Sequence, residues 1–305
     1  MRFRSDRGRL IVEDLDFRVV PRGGAEYPPL LEHLRDPPER LWVAGDLPGP
    51  ATTCVAIVGT RTPTAYGREI ASGLASELAR AGAWVVSGMA RGIDSSAHAG
   101  ALERGATIAV LAGGVDVCYP SANKNLYERI LERGAVLSEH PPGTATYKSS
   151  FTHRNRIIAA LSLATVVVQA GERSGALATA RHALDIGREV LAVPGDIRVD
   201  VSAGSNGLLR DGAHPCTCAA DVLGQIGVGV GVGAGGARRS LLPIPSDLPP
   251  EQAAILELLG GDTLVSESVG GMVGLQGGAL ATALGLLELD GWIESGPGDT
   301  VRRRR

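Results

Sequence analysis

Short uncharged apolar runs alternate with amphipathic stretches from Val55 to about Ala220. Val55-Ala-Ile-Val58, Trp84-Val-Val-Ser87, Thr107-Ile-Ala-Val-Leu111 and Thr165-Val-Val-Val-Gln169 are four or five residues long and rich in β-branched side chains. Strands buried on both faces read in this way. Between them, residues 68–81, 95–104, 126–132, 154–163 and 177–186 place apolar positions at helical intervals. The alternation predicts a doubly wound, mainly parallel sheet over residues 51–225. Residues 1–50 form an opening segment without obvious chemistry, in which Tyr27-Pro-Pro-Leu-Leu31 and Leu41-Trp-Val-Ala44 pack on the sheet edge as a short helix and a strand. Gly227 to Gly236 is low-complexity and leads into Pro243-Ile-Pro-Ser-Asp-Leu-Pro-Pro250, so residues 226–250 read as a tether. Helices over 251–259, 265–273 and 279–289, then a hairpin over 291–301, give residues 251–305 the order of a small winged-helix-like domain.

Each apolar strand runs into a turn of small residues. Val58 leads to Gly59-Thr60-Arg61, Ser87 to Gly88-Met-Ala-Arg-Gly92, Leu111 to Ala112-Gly-Gly114, and Gln169 to Ala170-Gly-Glu-Arg-Ser-Gly175. In open parallel sheets ligands sit beyond the strand carboxyl ends, where the first N–H groups of the next helix are unpaired. Small residues let phosphate oxygens approach the backbone, and Arg61 adds a forked, permanently charged donor. For any single turn, relief of a tight bend explains the glycine equally well. Four such turns on one edge point instead to a floor for a polyanion.

Composition narrows the partner. The net charge of the 305 residues is −3, which excludes a generally basic coat and requires that anion binding come from a local pocket. Glycine, 42 residues, is used at roughly twice the average rate, much of it in the strand-end turns and the tether. Cys54, Cys118, Cys216 and Cys218 do not have the spacing of a four-ligand metal site, and they read as reduced thiols. With no apolar signal core and no membrane-length apolar stretch, the sequence predicts a cytoplasmic location and no membrane contact.

The densest chemistry lies in Tyr147-Lys-Ser-Ser-Phe-Thr-His-Arg-Asn-Arg-Ile-Ile-Ala-Ala-Leu161, which gathers Lys148, Phe151, Arg154 and Arg156, with Asn155 between the arginines, at the start of a helix. Cations beside an exposed ring suit a single-stranded nucleic acid, which offers a phosphate track and flat base faces. Phe151 is one of only 3 phenylalanines and sits in a polar, basic loop, which favours stacking over a core role. Ser174 and Gly175, next to Arg173, open a helix and could hold a phosphate, or Ser174 could simply cap the helix. Lys124 likewise reads as a phosphate contact or as a solvated charge at a helix start. Asp94 and His98 stand four apart as an acid/base pair would, but a capping Asp and a packed His explain them more simply. His140 and His153 share a sheet edge without a nucleophile or carboxylate placed to form a triad, so catalysis has no support.

Taken in order, Val55 to Arg61, Ser87-Gly-Met-Ala-Arg-Gly-Ile-Asp94, Tyr119 to Asn123, Ser138-Glu-His-Pro-Pro-Gly143, Arg154-Asn-Arg-Ile-Ile158, Arg173-Ser-Gly-Ala-Leu177 and Val193-Pro-Gly195 resemble the bacterial DNA-processing protein A family, DprA or Smf, over roughly residues 25–225. Each motif is weak, but their shared order is specific. The resemblance implies an extended Rossmann-like domain that binds single-stranded DNA without a cofactor, dimerises, and passes incoming transformation DNA to a RecA-type recombinase. It makes Gly59, Thr60 and Arg61 a phosphate clamp, Lys148 a second phosphate contact and Phe151 a stacking surface, with Lys124 a weaker transfer. Two departures stand out. Thr152-His153 replaces the Pro-x that follows Phe in many members, which alters the loop's rigidity, and the segment before Tyr27 is too short for the N-terminal helical domain that many carry.

The rival reading is a Rossmann-like nucleotide-processing enzyme of the nucleoside-monophosphate phosphoribohydrolase kind. That family pairs a Pro-Gly-Gly-x-Gly-Thr turn with a helical Glu, and Ser174-Gly-Ala-Leu-Ala-Thr179 offers no such acid. A nicotinamide enzyme is disfavoured because Gly59 to Gly67 lacks the Gly-x-Gly-x-x-Gly spacing.

Overall fold

The computed structural model describes residues 2–6, 9–227, 248–259, 263–296 and 300–303. Its contacts divide into two units, Met1–Gly235 and Gly236–Arg305. The first opens with β1 (Phe3–Asp6), β2 (Arg9–Val12), β3 (Arg18–Pro21), a 3-10 turn at Pro29–His33 and β4 (Arg40–Gly45). There follow β5 (Cys54–Val58), α1 (Ala65–Arg80), β6 (Trp84–Ser87), α2 (Ile93–Arg104), β7 (Thr107–Val110) and the short β8 (Val117–Cys118). Then come α3 (Lys124–Arg133), β9 (Ala135–Ser138), α4 (Lys148–Ala160), β10 (Ala164–Val167) and α5 (Gly175–Asp185). The unit closes with β11 (Glu189–Ala192), α6 (Ala203–Arg210), β12 (His214–Pro215) and α7 (Ala219–Gln225).

Nine strands form one sheet in the order β12-β11-β10-β5-β6-β7-β9-β4-β3. From β12 to β9 every neighbour is parallel, and β4 and β3 add antiparallel at the edge. The predicted doubly wound sheet is therefore present. Both faces are covered because both are apolar. Residues 157–161 with Ala176, Ala180 and Ala183 pack on one face, and Leu74, Leu78, Ala97, Ala101 and Val222 pack on the other. Strand order reverses between β5 and β10, which pair Val58 with Val167. This switch point is where such sheets hold ligands.

Two details differ from the expectation. The helix predicted from Arg154 begins at Lys148, so Phe151 sits on a helical turn and not in a loop. The opening segment also holds more than a turn and a strand. β1 and β2 form a hairpin whose second strand pairs with β8, making a separate three-stranded sheet.

The second unit contains α8 (Pro250–Leu259), β13 (Thr263–Val265), α9 (Ser266–Val273), α10 (Gly277–Leu289), β14 (Ile293–Gly296) and β15 (Thr300–Arg303). Ile255, Leu256, Leu259, Val269, Leu287 and Ile293 close its core. The three helices and the hairpin follow the predicted order, with β13 added to the wing sheet. Most of the predicted tether lies outside the described residues. Among the described residues, no helix is long and apolar enough to cross a membrane.

Candidate nucleic-acid interface

Gln169, at the end of the β10 run, ties the two turns at the switch point together. Its carbonyl accepts the Thr60 N–H at 2.7 Å, and its side-chain Oε1 accepts the Thr64 N–H at 3.0 Å. Gly59 has to be glycine in this arrangement. A Cβ there would lie 2.6 Å from Ile93 Cγ1 and 2.8 Å from the Gln169 carbonyl. The turn thus passes against the first residue of α2, and Arg61 emerges exposed at its end.

Above the switch point lies an open cleft of about 1080 Å³. Its walls come from the Gly59–Arg61 turn, residues 145–148 with the first turns of α4, the Gly171–Gly175 turn, Tyr119 and Arg9. The Arg61 guanidinium lies over the Phe151 ring, with Cζ 5.0 Å from the centroid. Tyr119 leans on the same ring at 5.7 Å and 46°. Tyr147 and Lys148 stand exposed at the start of α4. Arg173 is exposed beside Ser174, whose side chain accepts the Ala176 N–H at 3.3 Å and caps α5. Asn155 Nδ2 donates to the Gly175 carbonyl at 3.2 Å and joins α4 to α5. A side groove of about 380 Å³ shares Arg61, Ala90 and Tyr119 with the cleft and adds Arg91. Asp94 is the one carboxylate among the described residues lining the cleft, and it is buried. A cation-rich, acid-poor cleft within a chain of net charge −3 is the local pocket that the composition requires.

The neighbouring Gly88–Ala90 turn explains several residues that carry chemical groups but do structural work. Met89 has φ 61°, a left-handed conformation unfavourable for its side chain. Four residues hold it there. Asp94 accepts the Gly88 and Ala90 N–H groups at 3.1 and 3.3 Å, and His98 Nε2 accepts the Met89 N–H at 3.3 Å. Asn123 donates to the Met89 carbonyl at 2.8 Å, and Arg154 donates to the Gly88 carbonyl at 2.7 Å. Because His98 Nε2 is an acceptor, Nδ1 carries the proton and donates to Thr107 Oγ1 at 2.7 Å. Burial pushes the imidazole down to about 3, with Arg154 adding to the effect, so the ring is neutral. Burial raises the Asp94 carboxyl against the pull of Arg154 and the two amides. It also lowers the Arg154 guanidinium to about 10, Asp94 opposing, which leaves it charged at neutral pH.

A family model for DNA recombination-mediator protein A matches residues 18–227. The chain belongs to the DprA family. A model of the DprA winged helix domain matches residues 241–299. The chain is 43% identical over 229 residues to a Mycobacterium tuberculosis protein named as a putative DNA processing protein DprA, covering 72% of this chain but only 58% of that relative. It is 35% identical to Escherichia coli protein Smf over 96% of this chain and 79% of Smf. The crystal structure of Streptococcus pneumoniae DprA superposes with TM-score 0.66 at 38% identity, covering 68% of this chain and 74% of that one. A Helicobacter pylori DprA structure, described for its single-stranded DNA binding mode, superposes with TM-score 0.62 at 32% identity over 70% and 96% of the two chains.

Within this DprA-family cleft the eleven residues singled out in the sequence part company. Gly59, Thr60, Arg61, Lys148, Phe151, Asn155, Ser174 and Gly175 line it. Three cations expected from the sequence as DNA contacts are placed differently. Arg154 borders the cleft, but its guanidinium is buried and donates to the Gly88 and Val110 carbonyls. Arg156 is buried on the other flank of α4, ion-paired with Glu139. Lys124 Nζ lies 4.5 Å from the Phe3 ring, away from the cleft lining. His153, expected to lack a carboxylate, lies 3.3 Å from Glu139 Oε1. Tyr119, Tyr147, Arg9 and Gln169 were not selected. For Tyr119 and Tyr147 the signal was present, since each is an aromatic beside a selected loop. Arg9 and Gln169 carry none in the linear sequence.

Proposed function

We propose that this chain binds single-stranded DNA in the switch-point cleft and delivers it to a RecA-type recombinase during natural transformation or recombination, acting as a cytoplasmic homodimer without a cofactor. The observation that carries the reading is the exposed Arg61 guanidinium resting on Phe151 at the mouth of an open cleft, with Lys148 and Arg173 beside it. A forked cation grips phosphate, the rings accept base faces, and neither reads sequence. The cleft is open, which suits a polymer passing through. Family membership and the Helicobacter pylori relative support the same ligand. The description of the family as a recombination mediator supports the recombinase partner.

The nucleotide-processing alternative requires a carboxylate free to act on a substrate. Asp94, the acid in the cleft lining, is held by two amides beside Arg154. The deciding experiment titrates the protein with single- and double-stranded oligonucleotides of equal length at near-physiological salt. Marked preference for the single strand is expected, and equal affinity would remove the reading. The recombinase step is tested by adding the protein to a RecA-type recombinase on a strand already coated with single-strand-binding protein, where faster filament formation is expected.

A further inference from the structure

The β1–β2 hairpin lies before residue 18, outside the segment that matches the family model, yet it supplies a residue to the cleft. β2 pairs antiparallel with β8 through Leu10 with Cys118 and Ile11 with Val117. Continuing that register by one residue sets Arg9 across from Tyr119. Cross-strand neighbours share a face, and both residues line the cleft. Tyr119 in turn leans on Phe151. One wall of the cleft therefore runs from Phe151 through Tyr119 to Arg9.

The hairpin is fixed to the body of the unit. The Val12 N–H donates to the Asp116 carbonyl at 2.9 Å, and Val12 is buried. Phe3 packs edge-on against the buried Tyr127 at 6.4 Å, and the Lys124 ammonium lies 4.5 Å from the Phe3 ring centroid. Lys124, which the sequence leaves open as a phosphate contact or a solvated helix-start charge, thus lies against the hairpin that carries Arg9. The strand that carries Arg9 is therefore held in place before any ligand arrives.

We infer that Arg9 is a second phosphate-contact point, which extends the single-strand path past Tyr119 beyond the Arg61 clamp. This rests on the reading of the cleft as a single-strand site. Such an extension engages only a strand long enough to leave the clamp and reach the hairpin. Arg9 then adds one charge contact to long ligands and none to short ones.

The test measures fluorescence anisotropy of labelled oligothymidylates about 2 and about 20 nucleotides long with the full chain, Arg9→Ala, Arg9→Lys and Arg61→Ala across a salt series. Arg9→Ala is expected to weaken the long oligonucleotide about threefold to fivefold and to lower its salt slope by about 0.7. Its effect on the short one should be nil. Arg9→Lys should restore the slope on the long oligonucleotide, which a loss of folding would not allow. Arg61→Ala should weaken both lengths. Unchanged binding of the long oligonucleotide by Arg9→Ala, with Arg61→Ala still impaired, overturns the extension and leaves the clamp standing. Equal weakening of both lengths by Arg9→Ala also overturns it, because Arg9 would then belong to the clamp itself. No effect of Arg61→Ala at either length removes the reading on which the extension depends.

Discussion

The guanidinium of Arg61 rests on the ring of Phe151, with Cζ 5.0 Å from the centroid. The two come from separate elements, the turn after β5 and the second turn of α4, and they meet over the β5–β10 switch point. Contact with the ring holds the cation at the cleft mouth, where it stands exposed.

Separate substitutions at this pair should have distinguishable signatures. Arg61→Ala removes a phosphate contact, so oligonucleotide affinity falls and the slope of log K against log salt drops by about 0.7. Phe151→Ala removes a stacking surface, at a cost of about 1–3 kcal/mol per base, and leaves the salt slope almost unchanged. In urea unfolding, the cost of the combined substitution should fall short of the sum of the two single costs by about 0.5–1 kcal/mol, the worth of an exposed cation–ring contact. Affinity of Arg61→Ala matching the unaltered protein at every salt concentration would count against the clamp.

Arg154 and Lys148 lie on the same helix but should fail in opposite ways. Arg154→Met leaves the Gly88 and Val110 carbonyls without their donor and Asp94 without its counter-charge. Breaking a buried charge arrangement from one side costs about 3–5 kcal/mol, which urea unfolding would reveal. Lys148→Ala removes an exposed side chain and should change stability by no more than about 0.5 kcal/mol while weakening oligonucleotide binding. A normal unfolding midpoint for Arg154→Met would mean that the Gly88–Ala90 turn is held by the other three residues alone.

Much of this arrangement was legible because parallel strands buried on both faces leave an unmistakable trace of uncharged β-branched runs, each ending at a turn of small residues. The start of α4 left no such trace, because Lys148-Ser-Ser150 is polar and lacks apolar periodicity. With the helix beginning at Lys148, its 3.6-residue turn sorts the basic run. Lys148, Phe151 and Asn155 share the cleft face, Arg154 points into the turn beside Asp94, and His153 and Arg156 meet Glu139 on the far flank. Read as a string, these cations form one cluster. Arg9 and Gln169 were hidden for a different reason. Each acts through a partner distant in sequence, Arg9 through strand register with Tyr119 and Gln169 through hydrogen bonds to Thr60 and Thr64.

His98 gives the fold a predictable acid sensitivity. Its pKa in the folded state is about 3, against an ordinary 6.5 when unfolded. The unfolded chain therefore binds a proton that the folded one refuses between those values. Stability from this group is complete above about pH 6.5 and is lost as pH falls towards 3, by up to about 1.4 kcal/mol per unit. His98→Asn cannot titrate. Denaturation measured at pH 7 and at pH 4 should show a larger stability gap between the two proteins at pH 7. A gap that stays constant would show that His98 is not held neutral by the Met89 amide and Thr107.

Gly59 and Gly175 both border the cleft, yet a methyl group should separate a role in the fold from a role at the interface. In Gly59→Ala the new carbon would crowd Ile93 and the Gln169 carbonyl. That carbonyl already accepts the Thr60 N–H at 2.7 Å, so it cannot retreat without losing the bond. Overpacking of this kind costs about 1–3 kcal/mol, and the displaced turn should carry Arg61 off the Phe151 ring. At Gly175 no atom outside its chain neighbours and its own helix backbone lies within 4 Å of the added carbon. Alanine there should leave stability unchanged or raise it by about 0.4–1 kcal/mol through the unfolded state. The same methyl projects into open space at the start of α5, where a phosphate oxygen would approach the backbone, so Gly175→Ala should bind oligonucleotide more weakly despite its sound fold. Full affinity in Gly175→Ala would remove the α5 start from the path of the strand and leave the phosphate contacts to Arg61, Lys148 and Arg173.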